Sequence, residues 1–131
     1  MNEKRVTCAV MIRDGRLLLA RRAPGQKHEG TWEFPGGKVD PGETDQACLA
    51  REIREEFGVD GTVGAHLCDV EHTYRELDLR IRLCAYLFTP GSLDFETRVH
   101  DAIGFFTADE IAALPLSPAD VPIAAQAIKL L

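Results

Sequence analysis

The amino-acid sequence predicts an α/β domain in which helices and a mixed β-sheet form layers. Segments with strand and helix patterns are interleaved along the chain, which favours a layered α/β architecture. An Asp14-Gly15 pair between two apolar segments is typical of a two-residue hairpin turn, so the sheet cannot be entirely parallel. The 131 residues suit one core, and no repeat or linker divides them. We therefore expect residues 1–131 to form a single domain.

The first third of the chain contains two predicted strands and a long loop. Apolar residues predict strands at 6–12 and 17–20, on either side of the hairpin turn. Residues 21–42 are rich in glycine, proline and charge, which indicates a loop with a short extended piece at 32–34. A loop of this length in a small domain is usually functional.

A helix is predicted at residues 45–57. Thr44 is a suitable N-cap, and Gly58 suits the left-handed position that follows many helices. Ala50, Ile53 and Phe57 fall on one side of a helical wheel, which we expect to face the core.

The second half of the chain predicts three further strands and two helices. The strands are expected at 62–70, 79–88 and 102–106, with the clearest apolar–polar alternation in 79–88. Thr107 and Glu110 match a capping box that begins a short helix ending near Leu114. Ser117 and Pro118 suit the cap and first turn of a last helix.

Composition and charge limit the classes of partner. The net charge of −6 at pH 7 argues against a nucleic-acid polymer, which needs a basic surface, but not against a small nucleotide. No apolar run reaches the ~18 residues of a membrane span, and residues 1–16 lack a signal-peptide pattern, so we expect a cytoplasmic protein. The 4 cysteines form no C-x-x-C pair, which predicts reduced thiols rather than a zinc site. The 4 scattered histidines are interpreted as structural or solvated.

The opposite face of the predicted helix gathers carboxylates, namely Asp45, Glu52, Glu55 and Glu56. Carboxylates at this spacing repel one another. The face is therefore either an ordinary solvated surface or a site for a cation. The second interpretation is favoured because no lysine lies on this face and the preceding loop contains three glycines, which let backbone approach a ligand. Clustered carboxylates suit a hard ion such as Mg²⁺ or Mn²⁺.

Residues 37–59 resemble the Nudix box, G-x5-E-x7-R-E-U-x-E-E-x-G-U with U aliphatic, and they meet every defined position. Residues 21–22, 32–37 and 118–123 resemble the MutT-type branch of this family, above all its CTP pyrophosphohydrolases and oxidised-nucleotide (8-oxo-dGTP) diphosphatases. The resemblance implies an α/β/α sandwich around a mixed β-sheet. It also implies attack of water on the β-phosphorus of a nucleoside triphosphate, which yields a nucleoside monophosphate and pyrophosphate.

The resemblance further implies the residues of the metal and phosphate sites. Mg²⁺, with Mn²⁺ as the alternative, is expected to bind Glu52, Glu55, Glu56 and the carbonyl of Gly36. Glu52 is expected to act as a ligand or as the general base. Arg51 is expected to orient a carboxylate through its planar fork. The phosphates are expected to contact Arg22, for which a solvated arginine is the alternative, and Lys38 is a weaker candidate for the same role.

One position departs from the branch. MutT-type enzymes often carry a further metal-binding glutamate before the strand predicted at 102–106, where an ungapped alignment places Val99. Glu96 or Asp101 is expected to substitute, unless the role is absent. Glu43 is either an outer ligand or an acid that stabilises the loop.

Asp120 is the expected base-reading residue, with Glu33 as a second contact. An ionised aspartate only accepts hydrogen bonds, so it favours a base edge with an amino donor such as cytosine N4. A protonated aspartate reads a different edge, and simple stabilisation of the helix terminus is the other interpretation. The expected substrate is a cytidine-type or oxidised nucleoside triphosphate, and the expected assembly is a monomer or homodimer. Hydrolysis of ADP-ribose or a dinucleoside polyphosphate, and nucleotide binding without turnover, are the alternatives.

Overall fold

The computed structural model describes residues 1–131 and confirms the mixed α/β class. Its elements are β1 (Asn2–Val10), β2 (Ile12–Arg13), β3 (Arg16–Arg22), β4 (Trp32–Glu33), β5 (Gly36–Lys38), α1 (Asp45–Phe57), β6 (Gly61–Tyr74), β7 (Leu79–Pro90), β8 (His100–Phe106), α2 (Ala108–Ala112) and α3 (Asp120–Ile128). A 3₁₀ turn, Arg75–Leu77, joins β6 to β7. None of the helices has the length and apolar character needed to cross a membrane.

The strands form two sheets. In the first, the order is β5-β1-β7-β6, with β1 parallel to β7 and the other neighbours antiparallel. In the second, β3 pairs antiparallel with β2, β4 and β8. Asp14 and Gly15 form the predicted turn between β2 and β3, with φ values of 51° and 71°. Positive φ at both positions is what a type I′ hairpin turn requires.

Helices α1 and α3 lie on opposite sides of the sheets. Successive residues of β1 and β3 point to opposite faces and enter two separate apolar clusters. One cluster contains Cys8, Val10, Leu17, Leu19, Ile123, Ala124 and Ala127, and the other contains Ala9, Met11, Leu18, Ala20, Leu49, Ile53 and Phe57. This arrangement is the expected α/β/α sandwich.

Helix α1 begins and ends where the sequence predicts. The Thr44 hydroxyl accepts a hydrogen bond from the Ala47 N–H at 3.1 Å, and Gly58 has a left-handed φ of 69°. Cys48 and Leu49 are buried together with Ile53 and Phe57, whereas Ala50 is only half-buried. Asp45 is not part of a free acidic face, because it pairs with Arg5 of β1 and Tyr86 of β7, whereas Glu52 lies against Gly37 of β5.

The predicted start of the last helix is wrong. Helix α3 begins at Asp120, and its N-cap, Ala119, makes no side-chain capping bond. The Ser117 carbonyl accepts from the Asp120 N–H at 2.9 Å, which closes a turn before the helix. Ser117 is buried instead of capping, because its own N–H donates to the Trp32 carbonyl at 2.9 Å and so holds this segment against β4. The capping box of α2 is confirmed at Thr107 and Glu110.

Candidate active site

Arg51 is the centre of the acidic face of α1. Its guanidinium donates to both carboxylate oxygens of Glu43, at 2.7 and 2.8 Å, in a bidentate pair. A further nitrogen donates to Glu52 at 3.0 Å and to Glu55 at 3.2 Å. The pairing with Arg51 lowers the pKa of Glu43 to about 2. Glu43 therefore remains ionised and engaged with Arg51.

Glu56 differs from its neighbours because one of its carboxylate oxygens, Oε2, is buried and has no hydrogen-bond partner. Burial and then the charge of Glu52 raise the pKa of Glu56 to about 8. A buried carboxylate oxygen without a partner is unfavourable unless a cation or a donor reaches it. The acidic face thus contains a position that a cation would stabilise.

The atoms on this face that could bind a metal are carboxylate oxygens, and the strand β5, with Gly36 and Gly37, lies nearby. Oxygen ligands suit a hard divalent ion. No three His, Cys, Asp or Glu side chains are already assembled as a complete metal site. Arg51 holds two of the candidate ligands, Glu52 and Glu55, in ion pairs. Mg²⁺ tolerates such a partial site, as it usually binds one or two carboxylates and keeps waters or substrate phosphates as its other ligands.

The expected phosphate contacts lie on the two segments that precede α1. Arg22 ends β3, and its side chain donates to the Lys27 carbonyl at 3.1 Å and to Gln26 at 3.4 Å. Lys38 ends β5, is exposed, and its carbonyl accepts from Arg51 at 3.1 Å. The Lys38 ammonium forms no hydrogen bond or ion pair in this structure.

The two substitute acids are both paired with arginines. Glu96 accepts from Arg98 at 3.0 Å and lies against Gly58, at the end of α1. Asp101 accepts from Arg21 at 2.7 Å, and this pairing lowers the pKa of Asp101. Neither acid makes a contact with the glutamates of the acidic face. Either one would have to leave its arginine in order to bind a metal there.

A second feature of the site is an open cavity of about 150 Å³. Asp120 and Ser117 line it from the segment that begins α3, and Glu33 and Phe34 line it from β4 and the residue that follows. Tyr74 closes another side from the end of β6. The cavity combines apolar walls with a few polar groups, as small-molecule sites usually do.

Asp120 is buried in this cavity without a cationic partner. Its Oδ1 accepts a hydrogen bond from the Phe34 N–H at 3.2 Å. Burial, followed by the charge of Glu33, raises the pKa of Asp120 well above its usual value. Burial thus disfavours the ionised form, one of the two states considered from the sequence, whereas the protonated acid both donates and accepts.

The role of His100 was not predictable from the sequence, in which it is one of 4 scattered histidines. Its side chain is fully buried, and its Nε2 lies 3.0 Å from the Glu33 carboxylate. The two residues are 67 positions apart, and only their shared pairing with β3 brings them together. The cysteines are free thiols, and Cys8, Cys48 and Cys84 are buried while Cys68 is half-buried.

Comparison with known proteins places this geometry in a family. The model of the NUDIX domain matches residues 1–128. The chain belongs to the NUDIX family. It is a Nudix hydrolase, and members of this family generally use divalent metal ions.

The chain is similar to several named proteins. The chain is 37% identical over 119 residues to the CTP pyrophosphohydrolase of Escherichia coli, covering 90% of this chain and 86% of that protein. It is 35% identical over 118 residues to a putative 8-oxo-dGTP diphosphatase 2 of Mycobacterium tuberculosis, covering 88% and 81%. Its fold is similar to the crystal structure of a MutT NUDIX hydrolase from Burkholderia pseudomallei, with a TM-score of 0.79, 31% identity and coverage of 96% and 98%.

Proposed function

We propose that residues 1–131 form one Nudix domain that hydrolyses a cytidine-type or oxidised nucleoside triphosphate to a nucleoside monophosphate and pyrophosphate, with Mg²⁺ as cofactor and Mn²⁺ as the alternative. The observation that carries this proposal is the combination of an unpartnered Glu56 oxygen on the acidic face with a cavity that contains a buried acid, Asp120. Glu33 connects the two, since its charge acts on both Glu56 and Asp120. The names of the two relatives, CTP pyrophosphohydrolase and putative 8-oxo-dGTP diphosphatase 2, support substrates of these two kinds.

In this proposal Glu52, Glu55, Glu56 and the carbonyl of Gly36 hold the metal. When bound, the metal would neutralise the polyphosphate and lower the pKa of an attacking water. Arg51 engages Oε1 of Glu52, and no side chain hydrogen-bonds to Oε2 of that residue. That second oxygen is available to accept a proton as general base or to bind the metal.

Arg22 and Lys38 are proposed to bind the phosphates. Arg22 is held in place by its bonds to the following loop, so it offers a preorganised, planar set of donors. Lys38 is exposed and lies one residue from the Nudix-box glycine, Gly37, so its ammonium can follow a mobile phosphate group. Both cations flank the acidic face from the segments that precede it along the chain.

The protonated form of Asp120 recognises a neighbouring donor and acceptor on a base. In cytosine the acid would donate to N3 and accept from the N4 amino group, whereas in an oxidised guanine it would donate to O6 and accept from N1. Asp120 alone therefore does not distinguish cytidine-type nucleotides from oxidised guanine nucleotides. Glu33, an acceptor when ionised, is the residue proposed to distinguish between them.

A pyrophosphate-release screen with Mg²⁺ tests this function. The substrates are CTP, dCTP, 5-methyl-dCTP, 5-hydroxy-dCTP, dGTP, 8-oxo-dGTP, ADP-ribose and a dinucleoside polyphosphate, and the proteins are wild type, Glu56→Gln, Asp120→Asn and the control Glu71→Gln. We expect turnover of a cytidine-type or oxidised nucleotide that falls by about 100-fold or more in Glu56→Gln. Asp120→Asn is expected to change the order of preference among bases. The exposed residue Glu71, on β6, is expected to be neutral.

Two results would overturn the proposal. Turnover confined to ADP-ribose or the dinucleoside polyphosphate would identify a different Nudix hydrolase. Nucleotide binding without any turnover would identify a binding module.

A further inference from the structure

His100 and Glu33 approach each other across the central strand of the second sheet. Glu33 on β4 pairs with Ala20 of β3, and His100 on β8 pairs with Arg22 of the same strand. Ala20 and Arg22 are two positions apart on β3, so their side chains share one face. A register shift between Arg21 and Arg22 places His100 opposite Arg22, where regular pairing would place Asp101, and so brings His100 next to Glu33. Ala20 belongs to the apolar cluster that includes Phe57, so this face is the one covered by α1. The pair thus lies beneath the catalytic helix.

The imidazole of His100 is fixed on two sides. Its ring stacks on the Phe57 ring, with centroids 5.2 Å apart and planes inclined by 20°. Its Nε2 lies 3.0 Å from Oε2 of Glu33. Phe57 directly follows Glu56 in α1 and is fully buried, so the position of His100 is tied to the helix that carries the proposed metal ligands.

The second ring nitrogen shows where the proton lies. Nδ1 of His100 is buried and has no hydrogen-bond partner. A proton on Nδ1 alone would leave that buried donor unsatisfied and would leave Nε2 without a hydrogen to donate to the Glu33 carboxylate, which only accepts hydrogen bonds. The proton therefore lies on Nε2, and His100 donates to the Glu33 carboxylate.

No other side chain hydrogen-bonds to this carboxylate. The nearest cation is Arg22, whose Nη1 is 3.8 Å from the same oxygen, beyond hydrogen-bonding distance. Glu33 is about one-fifth exposed and lines the cavity that contains Asp120. Without His100, nothing with hydrogen-bonding geometry would determine the direction of the carboxylate.

We propose that His100 is a positioning residue for base selection, which holds the Glu33 carboxylate where Glu33 meets the base in the Asp120 cavity. This inference deepens the proposed function and rests on it. His100 itself contacts neither the base nor the phosphates. Its effect is therefore expected in the discrimination between nucleotides, and not equally in the hydrolysis of all of them.

The test compares kcat/KM for two nucleotides of the pyrophosphate-release screen, the one that wild type hydrolyses best (the preferred nucleotide) and the one that it hydrolyses worst. The variants are His100→Leu, His100→Gln, Glu33→Gln and the double variant His100→Leu/Glu33→Gln. His100→Leu is expected to reduce this selectivity by ~10-fold or more, the worth of a hydrogen bond to a charged group, mainly through KM for the preferred nucleotide. Gln places an amide N–H near the position of Nε2, so His100→Gln is expected to recover most of the selectivity. The double variant is expected to be no less selective than Glu33→Gln. His66→Leu, an exposed histidine on β6, is the control.

Equal losses for every nucleotide, or additive effects in the double variant, would overturn the inference while leaving the proposed function intact. A wild-type protein that hydrolyses no nucleotide would overturn both. Nitrogen-15 NMR of the wild-type histidines gives a readout that needs no variant to fold. A proton on Nδ1 of His100 would contradict the inference, and a proton on Nε2 would support it.

Discussion

Gly37 lies so close to Glu52 that a Cβ at residue 37 would come within 2.2 Å of the Glu52 carboxyl carbon. The atoms that would clash belong to the end of a flexible side chain, so the fold can adapt by moving Glu52. We therefore expect Gly37→Ala to remain folded but to lose activity by about 100-fold, because an error of ~1 Å in a catalytic group has an effect of this size. Nucleotide turnover and thermal unfolding measured on the same preparation check this expectation.

Gly36→Ala is the informative control for that variant. A Cβ at residue 36 would lie 1.9 Å from the carbonyl oxygen of Thr7, which is backbone of the neighbouring strand β1. We expect this change to destabilise the fold by about 1–3 kcal/mol as overpacking does. The same loss of stability in both variants would show that Gly37 has no specific relation to Glu52.

Mg²⁺ is expected to stabilise the wild-type protein through Glu56. The buried Oε2 has no partner in the free protein, and a bound cation would supply one. At a concentration of ~100 times its dissociation constant, the ion would add about 2.7 kcal/mol to the free energy of unfolding. Glu56→Gln is expected to lose most of this gain. Differential scanning calorimetry with and without Mg²⁺ measures it, and Glu71→Gln should respond like wild type.

The buried acid Asp120 is expected to give stability an unusual dependence on pH. Because its folded-state pKa is raised, the native state binds a proton that the unfolded state releases. The free energy of unfolding should therefore fall as the pH rises from about 4, the unfolded value, towards the folded pKa. Asp120→Asn, which resembles the protonated acid, should show a smaller decline, and the part due to Glu56, whose pKa is raised to about 8, should remain. Urea denaturation at a series of pH values measures the difference between the two proteins.

The charge of Glu33 adds to the rise in the pKa of Asp120 that burial causes. Asp94→Asn, in an exposed loop, serves as the matched control and is expected to follow wild type. Parallel pH profiles for wild type and Asp120→Asn would mean that Asp120 is ionised in the cavity.

The opposite dependence on pH is expected at Asp45. Its carboxylate accepts from Arg5 at 2.7 Å and from the Tyr86 hydroxyl at 2.6 Å, and the bond with Arg5 is the main cause of its lowered pKa. This stabilisation is fully present above the unfolded pKa of about 3.9 and is lost as the pH falls through the lower folded value. Asp45→Asn should lower stability near neutral pH by about 1 kcal/mol, a value reduced because Arg5 is half-exposed.

The exposed pair of Arg54 and Asp60 provides the comparison for Asp45. Its two atoms are also 2.7 Å apart, but both side chains are mostly exposed to solvent. Asp60→Asn is expected to change stability by less than ~0.5 kcal/mol. Equal effects of the two substitutions in chemical denaturation would contradict the prediction for Asp45.

Local features of the fold were predictable because neighbouring residues determine them. Helix α1 begins after Thr44 and ends before Gly58, as predicted. Thr44 accepts a backbone N–H of the first turn, and Gly58 adopts the left-handed conformation that ends the last turn. The Asp14-Gly15 turn was predictable for the same reason. Ser117 was misassigned because a distant strand residue, Trp32, binds its N–H and holds it outside the helix.

The site was predictable where one helix creates it and was not where several strands do. The glutamates of α1 share a face because of helical spacing alone. The contact between Glu33 and His100 depends on β3 pairing with two other strands, and the high pKa of Asp120 depends on burial. Neither kind of information lies in the local sequence.

The parallel pairing of β1 with β7 affects how the chain can fold during its synthesis. Residues 2–10 leave the ribosome long before their partners at 79–87 have been made. Pairing over this separation requires closure of a long loop, which slows folding. A nascent chain that ends before β7 has only β5 to pair with β1 in this sheet. The apolar residues of β1 would therefore remain accessible to chaperones until β7 has emerged.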